Sequence, residues 1–185
     1  MLGGRRRPRR RSPGFLLSGR RLSATVVVFC LLVVSLHLLV WLVVQKGYLV
    51  SPRLLLTQVV GSLIGALGIH AEVRDATIFL KRETWLMSTE CTGIFPVLTF
   101  ASFVLAYPSR LKAKLLGFLI GIPTIFAANI LRLVVLACLV ELKPAYGSYF
   151  HDYLWQVAFI LLIVILWLVW IEGVVKGERK AAVSV

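Results

Sequence analysis

Cysteine is sparse in this chain. Three residues, Cys30, Cys91 and Cys138, are spread over 185, which is no disulfide framework. Cys30 and Cys138 sit inside apolar runs, where a thiol packs as a small hydrophobe; a Cys91–Cys138 bridge stays open from sequence. Acidic residues are few: eight Asp and Glu stand against 21 Lys and Arg, for a formal net charge of +13. Ionisable pairs are missing from the middle of the apolar runs, where His37 stands alone, and this counts against a small transporter. No A-x-A site follows the first apolar run, so that run is expected to stay as an anchor rather than be removed as a signal peptide. Nothing in the sequence requires a metal or an organic cofactor.

What is present is apolar: 59% of the residues are hydrophobic. That is far too much for a soluble domain of this size, and the fold class it implies is an all-α, polytopic transmembrane helical bundle. The positive charge is uneven. Eight of the 21 Lys and Arg lie in residues 1–21, directly before an apolar run, so this arm reads as a topology signal that touches anionic lipid rather than as a nucleic-acid tail.

Four main spans are expected, at residues 24–44, 93–108, 115–142 and 153–171. Residues 54–69, "LLLTQVVGSLIGALGI", are short and carry an apolar stripe at 55/56, 59/60, 63/64 and 67, with Thr57, Gln58, Gly61, Ser62 and Gly65 opposite. This pattern predicts an amphipathic helix that lies in the interface or packs on the bundle. In residues 71–90, "VRDATIFL" and "TWLMST" flank "KRE" and predict a short hairpin on the membrane. The basic arm, the 109–114 segment "SRLKAK" and the 176–180 tail are all rich in Lys and Arg, whereas 45–90 nearly balances its charges. Four spans with both termini cytoplasmic put every basic flank inside and Cys91 on the outer face. Residues 1–22 then form a cytoplasmic arm, 23–172 the membrane domain and 173–185 a cytoplasmic tail.

Arg132 lies 17 residues beyond Leu115, or about 26 Å along a helix, near the outer edge of a hydrocarbon core about 30 Å thick. Cys91 opens the second span on that side and His151 opens the last. Each has a plain reading: packing for Cys91, snorkelling for Arg132, an aromatic-belt position for His151. A charge inside an apolar run is expensive, however, and points to function. A thiol, a guanidinium and an imidazole at one depth can run acyl transfer. Cys91 attacks a peptide carbonyl and forms a thioester, His151 moves the proton and Arg132 holds the oxyanion.

The segments "ECTGIFPVL", "GIPTIFAANILRLVVL" and "FHDYLWQVAFILL" resemble the exosortase/archaeosortase family over about residues 45–172, most closely its exosortase H subgroup. The resemblance implies a membrane cysteine protease/transpeptidase with Cys91, Arg132 and His151 as catalytic residues. It implies substrates that are membrane-anchored proteins ending in a short motif, a transmembrane helix and a basic cluster, cut at the outer face of the inner membrane. Around the trio, Asn129 precedes Arg132 by one helical turn, and Glu90, Thr92 and Gly93 flank the thiol in "ECTGI". Glu90 is either an orienting group or a solvated charge, and Trp155 either walls the site or anchors in the belt. Asp152 neighbours His151 but points about 100° away on a helix. Gly117 and Gly121 are spaced either for contact with a substrate helix or for internal packing. The alternative function is a non-enzymatic membrane assembly or partner-binding protein, with Arg132 as an ion-pair anchor. The oligomeric state is not legible.

Overall fold

The computed structural model describes residues 19–48, 50–81, 83–142 and 155–177. It is a helical membrane bundle carrying one small sheet. Helix α1 runs Gly19–Gln45 and α2 Val50–Ala66; strands β1 Ala71–Arg74, β2 Thr77–Leu80 and β3 Thr84–Leu86 follow. A short 3-10 turn, Glu90–Thr92, leads into α3, Ile94–Ala106; α4 is Leu111–Leu142, and α5 is Trp155–Val169, continued by a wide π turn at Trp170–Val175.

Ring contacts fix the directions of the helices. On α1 and α3, Phe29 meets Phe103 edge-on at 6.0 Å, and His37 stacks on Phe95 at 5.4 Å. Ascending α1 therefore runs beside descending α3. On α3 and α4, Phe100 lies against Gly121 while Asn129 lies against Gly93, again antiparallel. On α4 and α5, Trp170 donates its indole N–H to the Ala113 carbonyl at 2.7 Å, and the Arg132 guanidinium sits 5.9 Å from the Phe159 ring. The four helices alternate, so Arg110, Lys112 and Lys114 gather with the end of α5 at one end of the bundle. The Cys91 turn and the Arg132 region of α4 lie toward the other.

Several hydroxyl side chains inside the helices are satisfied locally, as lipid demands. Thr57, Thr99, Ser102 and Thr124 each donate to the carbonyl four residues back, at 2.7–3.1 Å. His37 Nδ1 lies 2.8 Å from the Val33 carbonyl, so this mid-span histidine is both helix-bonded and stacked. Helix α3 stops at Tyr107, whose ψ of 133° is the extended geometry that a following proline, Pro108, enforces.

Three helices reach span length: Leu22–Gln45, Leu111–Leu142 and Trp155–Val175. The expected second span is shorter than the sequence pattern implies. With 13 residues, α3 covers only about 20 Å at 1.5 Å per residue: it starts after Gly93, as expected, and stops at Ala106, because Tyr107 before Pro108 is extended. The "SRLKAK" segment is not a loop: α4 begins at Leu111, since Lys and Ala there are good helix formers.

The expected hairpin is a three-stranded meander. Strand β1 pairs antiparallel with β2 from Ala71↔Leu80 to Arg74↔Thr77, and β2 with β3 from Thr77↔Leu86 to Phe79↔Thr84. The first turn falls inside "VRDATIFL" because Asp75 adopts φ 53°, a left-handed conformation that Asp tolerates better than most residues. Helix α2 starts at Val50, four residues earlier than the pattern predicts, with Pro52 in its first turn, where a missing N–H costs nothing. It packs on the sheet and on α4, but not by its apolar stripe alone. Its buried residues are Leu56, Thr57, Val60, Gly61 and Ile64, while Leu55, Val59 and Leu63 remain exposed. Gly61 turns the weakly polar face inward: a Cβ there would sit 2.2 Å from Val73, so only glycine lets β1 lie this close.

Two cores result. Leu56, Val60, Ile64, Ile78, Met87, Leu133 and Ala137 join α2, the sheet and the second half of α4. Phe100, Val104, Tyr107, Ala113, Ile125 and Trp170 join α3, α5 and the first half of α4. Cys91 packs against the first of them.

Candidate active site

The turn that carries Cys91 is held from three directions. Its own backbone closes it: the Cys91 N–H bonds to the Ser88 carbonyl at 3.2 Å and that of Thr92 to Thr89 at 3.1 Å. The Thr92 hydroxyl donates to the same Thr89 carbonyl at 2.6 Å. From below, Asn129 donates its side-chain N–H to the Cys91 carbonyl at 2.7 Å. Asn129 is only 1% exposed, so this bond ties the turn to α4 in a dry setting where a lost partner is costly. From the α2 side, Arg53 Nε donates to the Met87 carbonyl at 2.8 Å and fixes the strand that enters the turn.

Gly93 completes the arrangement. Its φ of 78° reverses the chain into α3, and a Cβ there would meet the Asn129 side chain at 3.2–3.3 Å. Gly93 therefore supplies both the left-handed turn and the room for Asn129. Thr92 and Gly93 are buried, Cys91 is half-buried and Glu90 is exposed. The Ser88 hydroxyl lies 3.5 Å from the Cys91 sulfur. Ser88 also bonds the Glu90 carboxyl and, with the Glu90 backbone N–H and then the Arg53 charge, holds it below the usual carboxylate range.

Arg132 is one turn beyond Asn129 on the same helix and half-buried. Its Nε is enclosed with no hydrogen-bond partner among the described residues. The guanidinium rests near the Phe159 face, a cation–π contact that steadies it from α5. The structure thus brings Cys91, Thr92, Gly93, Asn129 and Arg132 together at one end of the bundle. Glu90 stands at the rim. Trp155 opens α5, and its indole Nε1 is enclosed with no partner rather than displayed to head groups. His151, with Asp152, lies outside the described residues. No disulfide joins Cys91 to Cys138. Among the described residues no three His, Cys, Asp or Glu are grouped to hold a metal.

Three contributors were not legible: Ser88, Arg53 and Phe159. Ser88 had a signal, since Ser-x-x-Cys in a tight turn puts a hydroxyl within reach of sulfur. Arg53 and Phe159 had none, because the contacts that give them meaning cross 34 residues to Met87 and the gap between two helices. The "GFLIG" glycines resolve to internal packing: Trp170 lies on Gly117 and Phe100 on Gly121.

A multi-pass helical bundle with a thiol turn pinned against an arginine-bearing helix is the class that these features define. The sequence model of the transmembrane exosortase family matches residues 14–168, and the chain belongs to that family. It is also similar to a "probable archaeosortase E" of Methanocaldococcus jannaschii, 27% identical over 82 residues, which cover 44% of each protein. The match thus spans less than half the length of that relative. No solved structure matches the chain.

Proposed function

We propose that this protein is a membrane cysteine transpeptidase that cuts the C-terminal tails of membrane-anchored proteins through a thioester on Cys91. One observation carries the reading: Asn129 fixes the Cys91 backbone one helical turn from Arg132, whose enclosed Nε has no partner among the described residues. A buried donor without a partner is costly and is suited to an acceptor that arrives with the substrate.

In this mechanism the Cys91 sulfur adds to a peptide carbonyl. The carbonyl oxygen becomes an oxyanion, and the Arg132 N–H groups donate to it; such a donor contributes about 3 kcal/mol in a water-excluded site. Arginine suits the position because it stays charged when partly buried. His151 takes the thiol proton and passes it to the leaving amine as the C–N bond breaks. The acyl group then sits on sulfur until water or another nucleophile attacks it: water gives hydrolysis, an amine or hydroxyl gives transfer. The basic end of the bundle faces the cytoplasm in this reading, and the Cys91 end opens on the outer side of the inner membrane. Substrates are membrane proteins with a motif, an apolar helix and a basic tail, and the basic arm touches anionic lipid.

The test is co-expression with a tagged tail protein from a neighbouring reading frame. Wild type releases the tail and accumulates a hydroxylamine-sensitive adduct on Cys91. Cys91→Ala leaves the substrate whole. Tail release that continues at the wild-type rate in Cys91→Ala would show that another enzyme does the work and favour a partner-binding role for Arg132.

A further inference from the structure

Half of the apolar stripe of α2 is left over by the fold. The core takes Thr57, Gly61 and the inner residues of that helix, while Leu55 and Val59 face outward. They do not face a featureless surface. Pro52, Leu55, Leu56 and Val59 of α2 form one wall of a groove of about 390 Å³, Phe126 and Ile130 of α4 the opposite wall, and Thr92 closes its near end. Thr92 is the residue after Cys91, and Ile130 is the residue after Asn129, so the groove starts at the thiol turn.

We propose that this groove seats the first turn of the substrate's membrane helix, directly beyond the bond presented to Cys91. The inference rests on the acyl-transfer reading above. Three features select a peptide helix as occupant. One wall is spaced i, i+3, i+4, i+7 and the other i, i+4, the ridge pattern against which a second helix interdigitates. A polypeptide held at Cys91 must continue from the scissile bond, and the groove is the apolar surface that begins there; the acyl chain of a bilayer lipid has no reason to begin at a thiol. The volume lies in the range of small-ligand sites, about 300–1,000 Å³, which suits the side chains on one face of a single turn and not a whole helix. Recognition through side-chain size in this groove makes the residues just after the cut a selective part of the anchor.

The experiment uses the full chain in phospholipid nanodiscs with Cys30→Ser and Cys138→Ser, so that only Cys91 reacts. Two probes are compared by their alkylation rates: N-ethylmaleimide, and a maleimide on the N-terminus of a Leu/Ala-rich helical peptide. The sulfur adds across the maleimide double bond in both cases, and no turnover is needed. The expected peptide advantage is at least about tenfold, from raised effective concentration at the thiol. Val59→Trp fills the groove and brings the ratio close to one, as does Leu55→Trp, which serves if the first variant does not fold. Leu63→Trp, one turn along α2 and outside the groove, keeps the wild-type ratio. A ratio near one in the starting protein, or one that both groove-filling variants leave unchanged, overturns the proposal. So does a maleimide-bearing phospholipid that shows the Val59-sensitive advantage when the peptide does not, since the occupant is then an acyl chain. Any of these failures leaves the Cys91→Ala processing test standing, and a protein that processes nothing still reports on its groove.

Discussion

Asn129 does the most at the residue scale for the least visible reason. Its side-chain N–H holds the Cys91 carbonyl, and its Cβ leans on Gly93, so one amide sets both ends of the thiol turn. Asn129→Ala leaves a buried carbonyl unmet, and the expected loss is about 1–3 kcal/mol of stability, read as a drop in melting temperature in detergent. Asn129→Asp is expected to be worse, because its carboxylate offers no donor to that oxygen. Glu90 supplies the pH prediction. Its folded carboxyl is held below the ordinary value, first by Ser88, then by its own backbone N–H and by Arg53. A depressed pKa means that its contribution is complete above the ordinary carboxylate value of about 4.3 and is lost as pH falls through the lower folded value. Glu90→Gln should therefore flatten the acid limb of a plot of melting temperature against pH and leave neutral behaviour alone. In the sequence Cys91 and Arg132 are conspicuous, because a thiol at a boundary and a charge inside an apolar run stand out against their neighbours. Ser88 and Arg53 are not, because both residue types are ordinary at a surface and their meaning arises only when the turn closes.

At the scale of elements, glycine decides how closely the helices meet. A Cβ on Gly121 would lie 2.3 Å from the Phe100 ring, whereas around Gly65 nothing lies within 4 Å. Gly121→Ala is expected to destabilise by about 1–3 kcal/mol through overpacking. Gly65→Ala, in open helix, should stabilise by about 0.4–1 kcal/mol; paired thermal melts of the two variants check the contrast. Element types were largely readable, since runs of apolar residues with helical period leave few choices. Faces were not. The α2 pattern predicts an apolar stripe on a helix that lies in the interface or packs on the bundle, and in a membrane lipid satisfies an oily face as well as a core does, so hydrophobicity does not say which side is buried. Here Gly61 decides, through fit against Val73. The meander was misread for a different reason: Asp75 continues a charged, β-branched stretch in composition while turning the chain in conformation.

At the scale of the molecule, the alternation of α1, α3, α4 and α5 separates a cationic end from a reactive one, and that polarity was legible in the spacing of Lys and Arg. The exact length of α3 was less so: it has only 13 residues, between Gly93 at its start and Tyr107 before Pro108 at its end.

That brevity has a mechanical consequence. From the α3 terminus at Ala106 back to Cys91 is 15 residues, roughly 22 Å of rise, against a hydrocarbon slab of about 30 Å. Exposed Glu90 and the charged sheet beside it need water at that height, and short hydrophobic segments are accommodated by thinning the bilayer around them. On the proposed acyl-transfer reading the bundle would act as a calliper: a tail would fit when about 15 residues separate the cut from its cationic stop, and a full-length anchor would have to tilt or lose its outer turn. Leucine insertions and deletions in a tagged tail, scored by cleavage rate, should peak near that spacing; a flat profile would mean that the membrane, not α3, sets the gauge.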